Sequence, residues 1–153
     1  MKKIIIVITS VVIIVAVAIG SFIYLMFRDK RGTDIEEINR KIPIFDGIES
    51  CEWVYKKYKS LYSLIFPSPI TFQGRVNLTK EGFEAIKGDY TWKKIPIDAD
   101  SWLPDDLIDI TLDKECIYSK DFTYDVEYKF YFDYAFTFLL VEEELAVYFA
   151  MSS

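Results

Sequence analysis

Five aspartates within one short stretch form the densest group of side chains that could do chemistry: Asp98, Asp100, Asp105, Asp106 and Asp109. Carboxylate oxygens suit calcium, and the spacing of Asp98 and Asp100 begins like an EF-hand loop. That loop needs glycine at its sixth position and glutamate at its twelfth, where this chain has Leu103 and Asp109. We therefore expect a solvated acidic loop beside the start of a helix, and no metal site.

Carboxylates could also act as a general acid and base, because the chain carries 24 acidic residues. A glycosidase needs two of them to converge, which a sequence does not show, and most acidic side chains are simply solvated. The chain has no histidine, which excludes Ser-His-Asp and Cys-His catalysis and histidine-ligated zinc. We predict no catalytic, cofactor-binding or metal-binding residues and no cofactor, and the carboxylate-dependent hydrolase stays as an alternative.

Several single residues admit both a structural and a functional interpretation. Trp53, Trp92 and Trp102 could line a recognition groove, but we favour core packing, with Trp102 the least constrained of the three. Gly74 lies inside an apolar alternation, where glycine marks a bulge or the close approach of a ligand, and we favour the bulge.

The two cysteines, Cys51 and Cys116, are the whole cysteine content of the chain. A disulfide between them would require an oxidising compartment and Cα atoms within ~7 Å of each other. Because free cysteine also packs as a small hydrophobic side chain, we favour two separate buried thiols over a disulfide.

The charge balance limits the kinds of partner. Lys2 and Lys3 precede the first apolar run, so the rest of the chain carries 16 basic and 24 acidic residues, a net charge of −8. Nucleic-acid binding requires a basic face, and we predict no nucleic-acid partner.

The first element to place is an apolar run from Ile4 to Phe27, 24 residues without a charge. At ~1.5 Å per residue this run is long enough for ~30 Å of hydrocarbon. We predict a transmembrane helix that acts as a signal-anchor and binds the lipid bilayer. A cleavable signal peptide ending at Ala16-Val17-Ala18 is the alternative, and the apolar residues that continue past Ala18 disfavour it.

The predicted organisation is a membrane anchor with basic flanks, residues 1–31, followed by one domain, residues 32–153. Basic residues lie on both sides of the apolar run, so the positive-inside rule gives no clear orientation. Because a short basic N-terminus before an apolar run is typical of secretory anchors, we expect a single-pass plasma-membrane protein with its domain outside the cytoplasm.

Local signals divide the first half of the domain into elements. Asp34 can cap a helix over Ile35–Lys41, and Asp46-Gly47 predicts a turn. Residues 48–58 fit both a strand and a helix, and the preceding turn and the β-rich composition favour the strand. Phe66-Pro67-Ser68-Pro69 predicts a break. A strand over Ile70–Leu78 precedes a helix that Thr79 caps and Gly88 ends.

The second half contains one short helix starting at Pro104 and a C-terminal β-region. From Phe122 to Leu140 every second residue is apolar, which predicts antiparallel strands with a turn near Asp133. Glu142-Glu143-Glu144 turns the chain into a last strand, Leu145 to Met151. The predicted fold class is α+β: a transmembrane helix, then a small antiparallel sheet with one to three short helices.

The middle of the chain resembles small bacterial lipoproteins and membrane-anchored proteins of unknown function. The resemblance rests on the segment Phe66 to Thr79, the helix after it, the return Tyr90-Thr91-Trp92 and the C-terminal strands. It implies an extracytoplasmic bacterial domain of the cell envelope, and it implies no activity and no site residues.

These observations favour a membrane-tethered, non-enzymatic domain that binds a protein partner or supports an envelope assembly. The alternatives are the carboxylate-dependent hydrolase and a membrane-tethered immunity-type protein, which small size and acidity suggest. A deep pocket with two or more converging acids would favour the enzyme, and a flat aromatic patch or an open edge strand would favour binding.

Overall fold

The computed structural model describes residues 2–57, 70–96, 99, 102–130 and 135–152. Over these residues the fold is α+β, with one seven-stranded antiparallel sheet and five helices. The helices are α1 (Lys2–Phe27), α2 (Ile35–Lys41), α3 (Lys80–Asp89), α4 (Asp105–Asp113) and α5 (Lys120–Phe130). The strands are β1 (Lys30–Gly32), β2 (Ile48–Lys57), β3 (Ile70–Leu78), β4 (Lys93–Lys94), β5 (Ile117–Tyr118), β6 (Ala135–Val141) and β7 (Ala146–Ser152).

The strands lie in the order β1-β2-β3-β7-β6-β5-β4, and every neighbouring pair is antiparallel. The last strand of the chain therefore lies in the centre of the sheet, between β3 and β6. Because side chains alternate along a strand, each of these central strands contributes to two different surfaces.

One surface, which we call the helical face, carries the larger core. Alternate residues of the long strands, such as Phe72, Val76, Phe138 and Phe149, pack there against α2, α3 and α5. Phe122 of α5 has the rings of Phe45, Tyr90, Trp92 and Phe138 within 6.4 Å of its own. Most of the buried aromatic surface of the described chain therefore lies on this face.

The opposite surface, which we call the groove face, is covered over only part of its area. Leu107 of α4, together with Ala99 and Leu103 before it, packs against Leu139, Val141 and Tyr148 of β6 and β7. On β2 and β3 the outward residues are mostly polar: Ser50, Glu52, Lys56, Gln73, Arg75 and Asn77. Among the described residues, the smaller core therefore ends at β7, and they leave the sheet beyond it open.

The predicted transmembrane anchor is wrong. Among the residues that the structure describes, no helix is both long enough and apolar enough to cross a membrane. Residues 4–27 are helical within α1. The fold class, the signal-anchor and the single-pass plasma-membrane location that we derived from this run are corrected accordingly.

The described side chains of α1 are exposed from residue 10 to residue 25, and none belongs to either core. The fold class also differs in its helix count, since four short helices follow α1 where we predicted one to three. The division at residues 31 and 32 stays a prediction.

The largest local error is α5. The alternation from Phe122 predicts a strand, but Lys120–Phe130 is a helix in which Phe122 and Val126, one turn apart, are both buried. The buried Ser119 caps it: its Oγ accepts from the backbone N–H of Phe122 at 3.2 Å. The apolar residues of this segment fit both the helical period of about 3.6 residues and the strand period of 2. The cap at Ser119 was the signal that separated the helix from the strand.

The predicted turn near Asp133 lies outside the described residues, as does the break at residues 66–69.

The predicted caps of α2 and α3 are confirmed. The side chain of Asp34 accepts from the N–H of Glu36 at 2.9 Å, and Thr79 Oγ1 accepts from the N–H of Gly82 at 3.1 Å. The turn at Gly47 is also confirmed and has a left-handed φ of 67°. Gly88 does not end α3, because the helix continues to Asp89 and Tyr90 leaves it in an extended conformation.

Candidate binding groove

A groove of about 760 Å³ lies on the groove face. Its floor is the outer surface of β1, β2, β3 and β7, and α4 forms one wall through Asp106, Leu107 and Ile110. A volume of this size is typical of sites for small ligands or short peptide segments. The groove is concave because α4 covers one part of the sheet and stands beside the uncovered part.

The sequence builds this groove by stopping α4 early. Pro104 precedes the helix and lacks an N–H to donate, Asp105 and Asp106 fill the first turn, and Lys114 leaves the helix in an extended conformation. The nine residues of α4 present few apolar side chains to the sheet, and Leu107 is the one fully buried. A helix this short covers β6 and β7 and leaves β2 and β3 uncovered.

Gln73 lies in the floor of the groove, opposite Val54 on β2 and Ala150 on β7. Its side-chain oxygen, Oε1, is buried and accepts no hydrogen bond from the described residues. A buried acceptor without a donor costs about 1–3 kcal/mol. The fold therefore tolerates an unfavourable group in the floor of this groove.

Arg75 lies two residues further along β3 and is held on three sides. Its Nε donates to Asn77 Oδ1 at 2.8 Å, its terminal nitrogen lies 3.2 Å from Glu144, and its guanidinium lies over the Tyr148 ring, 5.4 Å from the centroid. Glu144 also accepts from Lys114 and from the Tyr148 hydroxyl. This network fixes the position of Arg75 beside the groove and neutralises much of its charge.

The network sets two pKa values. Hydrogen bonds from Lys114 and Tyr148 lower the pKa of Glu144. Burial, together with the hydrogen bond to Glu144, raises the pKa of Tyr148. At neutral pH the carboxylate is charged and the phenol is neutral, so the phenol remains a donor.

A second ion pair crosses the groove. Lys56 on β2 donates to Asp106 on α4, joining the open part of the sheet to the wall. Both side chains are more than a third exposed, so the pair contributes little to stability. Arg31 and Glu52 are exposed and complete a lining in which the two signs of charge nearly balance.

The edges of the sheet are protected, in contrast to the groove. The described part of β4, at one edge, is two lysines, and β1, at the other, is three residues. The stretch of β2 beyond β1 contains a register shift between Ile48 and Ser50. Glu127 accepts from the N–H of Phe136 at 2.9 Å, beside the open end of β6. Lysines, short strands and bulges are the devices that prevent strand addition, so the groove is the better candidate for binding.

The predicted acidic cluster does not form a site in the described residues. Asp105, Asp106 and Asp109 are exposed on α4, and Asp98 and Asp100 lie outside the described residues. Within the described ranges no three acidic or cysteine side chains converge as metal ligands would.

Among the described residues, the pKa of Glu37 and the pKa of Glu144 are both shifted downward. Hydrogen bonds from Tyr55 and then from Arg40 lower the pKa of Glu37. A catalytic acid at neutral pH needs a raised pKa, so neither supports the hydrolase.

Trp53 and Trp92 pack against the core as predicted, and Trp102 does not. Trp53 is 6% exposed, and its ring nitrogen donates to the backbone oxygen of Asp34. Trp92 is half-buried and donates to the backbone oxygen of Ile86. Trp102 is 41% exposed and lies beside Tyr118. None of the three presents its ring as a platform in the groove.

The bulge predicted at Gly74 is wrong, because the register on both sides of Gly74 is continuous. A Cβ there would lie 2.2 Å from the backbone oxygen of Glu52 and 3.0 Å from the ring of Phe149. The close approach is made by the neighbouring strand and by the core.

Gln73 and Arg75 were not predicted as site residues. Their signal was present, since both fall on the polar phase of the strand Ile70–Leu78. A polar outer face, however, is what any half-exposed strand shows. Only the placement of α4 beside it makes the face a groove.

The chain matches no family model, no curated protein and no solved structure. The resemblance to small bacterial lipoproteins therefore stays a prediction, and the groove is interpreted from its own chemistry.

Proposed function

We propose that this protein is a non-enzymatic binding domain whose ligand occupies the groove between the open sheet and α4. The observation that carries the proposal is the buried, unpaired Oε1 of Gln73 in the groove floor. Buried polar groups in folded proteins are nearly always paired. This oxygen has no solvent contact in the free protein, but the Gln73 side chain is only half-buried, so a turn of that side chain toward the groove would let a ligand with a donor pair the oxygen and remove the cost.

Two further features support binding over catalysis. Four of the charged groups at the groove are held in two pairs, Lys56 with Asp106 and Arg75 with Glu144, and so are not free to transfer protons. The half-buried apolar residues Val54 and Ile110 offer surface that a ligand can bury. The hydrolase and the immunity-type protein stay predictions that no feature of the groove favours.

The test is methyl NMR of the full chain against four separate probe panels: short peptides, oligosaccharides, nucleotides and fatty acids. We expect at least one panel to shift the methyl signals of Val54, Leu107 and Ile110. The methyls of Val126 and Ile86, in the core of the helical face, should stay unchanged.

Val54→Arg places a long side chain on the groove floor and should abolish the response. Glu84→Gln, on the exposed side of α3, is the matched control and should retain it. If no panel shifts the groove methyls, the proposal is rejected.

A further inference from the structure

Three features of the groove limit what can occupy it, and the inference drawn from them rests on the function proposed above. The first is the need for a hydrogen-bond donor. Gln73 Oε1 is an acceptor, and it has no donor in the described chain. Fatty acyl chains carry no such donor along their length, so an acyl chain would leave the oxygen unpaired.

The second feature is charge. Lys56 and Arg75 each have an acidic partner, and the remaining charges, Arg31 and Glu52, are one of each sign. The chain as a whole carries −6. This balance offers no net attraction for an anion, and the field of the whole chain opposes an acidic ligand.

The third feature is the type of apolar surface. Sugars and nucleobases characteristically stack on exposed aromatic rings. The ring of Tyr148 is covered by the Arg75 guanidinium, and Trp53 and Phe149, which also border the groove, belong to the core of the helical face. The side chains that remain, Val54, Leu107 and Ile110, are aliphatic.

We propose that the groove binds an extended peptide segment of a protein partner, and that the half-buried Gln73 side chain turns toward the groove so that its Oε1 accepts from a backbone N–H of the peptide. An aliphatic side chain of the peptide lies against the half-buried Val54 and Ile110, beside the buried Leu107. A peptide of neutral or basic character meets all three requirements, because each non-proline residue carries an N–H and the protein opposes acidic ligands. The segment binds across the groove face and does not extend the sheet, since the sheet edges are protected.

The same geometry explains why the free protein keeps a glutamine at this position. Leucine has a similar size and no polar atom, so replacing Gln73 removes the unpaired acceptor. Gln73→Leu should therefore raise the melting midpoint of the free protein while it weakens peptide binding. If Gln73 served only the fold, its replacement would not raise the melting midpoint and weaken peptide binding at the same time.

The experiment is selection of phage-displayed random heptapeptides on the immobilised full chain. Calorimetry then measures one enriched synthetic peptide against four proteins: the unchanged chain, Gln73→Leu, Val54→Arg and Glu84→Gln. We expect enriched sequences to be rich in aliphatic residues and poor in Asp and Glu. Gln73→Leu should weaken binding about five- to tenfold, the value of one buried hydrogen bond. Val54→Arg should abolish binding, and Glu84→Gln should leave it unchanged.

Two outcomes would overturn the inference while the groove keeps its function. One is that oligosaccharides, nucleotides or fatty acids shift the groove methyls and peptides do not. The other is that the enriched peptide binds Gln73→Leu as tightly as the unchanged chain. Failure of the binding function itself looks different, because then no panel shifts the methyls of Val54, Leu107 and Ile110.

Discussion

The helical face and the groove face belong to the same sheet, yet they are covered very differently. On the helical face three helices and a continuous set of aromatic rings cover alternate residues of the long strands. On the groove face one short helix covers β6 and β7 and leaves β2 and β3 to a polar groove. The first face supplies most of the stability, and the second supplies a surface that a ligand can reach.

The difference follows from the residue types on each side of the strands. Buried aromatic and aliphatic side chains contribute roughly 1.5–3 kcal/mol each, and the helical face has most of the large ones. The groove face instead keeps an unpaired amide oxygen and ion pairs that are partly exposed. A site of this kind reduces stability locally and depends on the opposite face to hold the fold.

The largest effect should come from Phe122→Ala on the helical face. Phe122 is 1% exposed and packs against four aromatic rings, so its removal should cost about 3–5 kcal/mol. Urea unfolding of the two proteins measures the difference. A loss below about 1 kcal/mol would show that α5 does not pack against the sheet as described.

A smaller effect is expected from Leu107→Ala on the groove face. Leu107 is as deeply buried, at 3% exposed, but it belongs to the smaller core and borders the groove. Its neighbours can relax toward that space, so we expect about 2 kcal/mol, the low end for this substitution. The same unfolding measurement applies, and a loss equal to that of Phe122→Ala would mean that both faces carry equal stability.

The third effect, about 1 kcal/mol, should come from Thr79→Ala at the start of α3. The substitution removes the oxygen that accepts from Gly82, and the loss of a cap of this kind has that magnitude. Thr79→Ser keeps the oxygen and is the control, expected to unfold close to the unchanged chain. Equal losses in the two variants would contradict the capping role.

These contrasts also show how far the sequence could be interpreted. Features with a local cause were predictable: the side-chain caps at Asp34 and Thr79, and the strand Ile70–Leu78 with its strict alternation. The helix Lys120–Phe130 was predicted wrongly, because Phe122 and Val126 fit a helix and a strand equally well and the cap at Ser119 was the local signal that separated them. The groove was not predictable either, since it depends on where α4 stops relative to Gln73, a relation between distant residues.

Acid should weaken both faces through one carboxylate on each. Glu37 lies beside the helical face and Glu144 beside the groove, and the pKa of each is lowered below its ordinary value of 4.5. A carboxyl with a lowered folded pKa stabilises the protein above its unfolded pKa, and that stability is lost as pH falls through the folded pKa.

We therefore expect Glu37→Gln and Glu144→Gln each to lower the melting midpoint at neutral pH. The difference from the unchanged chain should shrink as pH falls below 4.5 and should vanish once the carboxyl is protonated in both states. Melting curves across this range test the sign. Glu84→Gln serves as the control, and a difference that grows in acid would contradict the assignment.

The last prediction is that a reducing agent has no effect on the number of free thiols, because the two cysteines do not form a disulfide. Cys51 lies in the core of the helical face and Cys116 in the core of the groove face, and both are free and buried. Their regions of the sheet, β2 and the start of β5, are separated by β3, β7 and β6. Four steps of about 4.8 Å place these strands roughly 19 Å apart, far beyond the ~7 Å limit between Cα atoms for a disulfide.

Burial also raises the pKa of both thiols, that of Cys116 to about 11, so the reactive thiolate is scarce at neutral pH.

Alkylation should consequently be slow in the folded protein and complete at both cysteines after unfolding, with or without prior reductant. Mass spectrometry of the alkylated chain counts the modified thiols. A second alkylation that appeared only after reduction would reveal a disulfide. It would also mean that the sheet does not separate the two cores in the way the strand order requires.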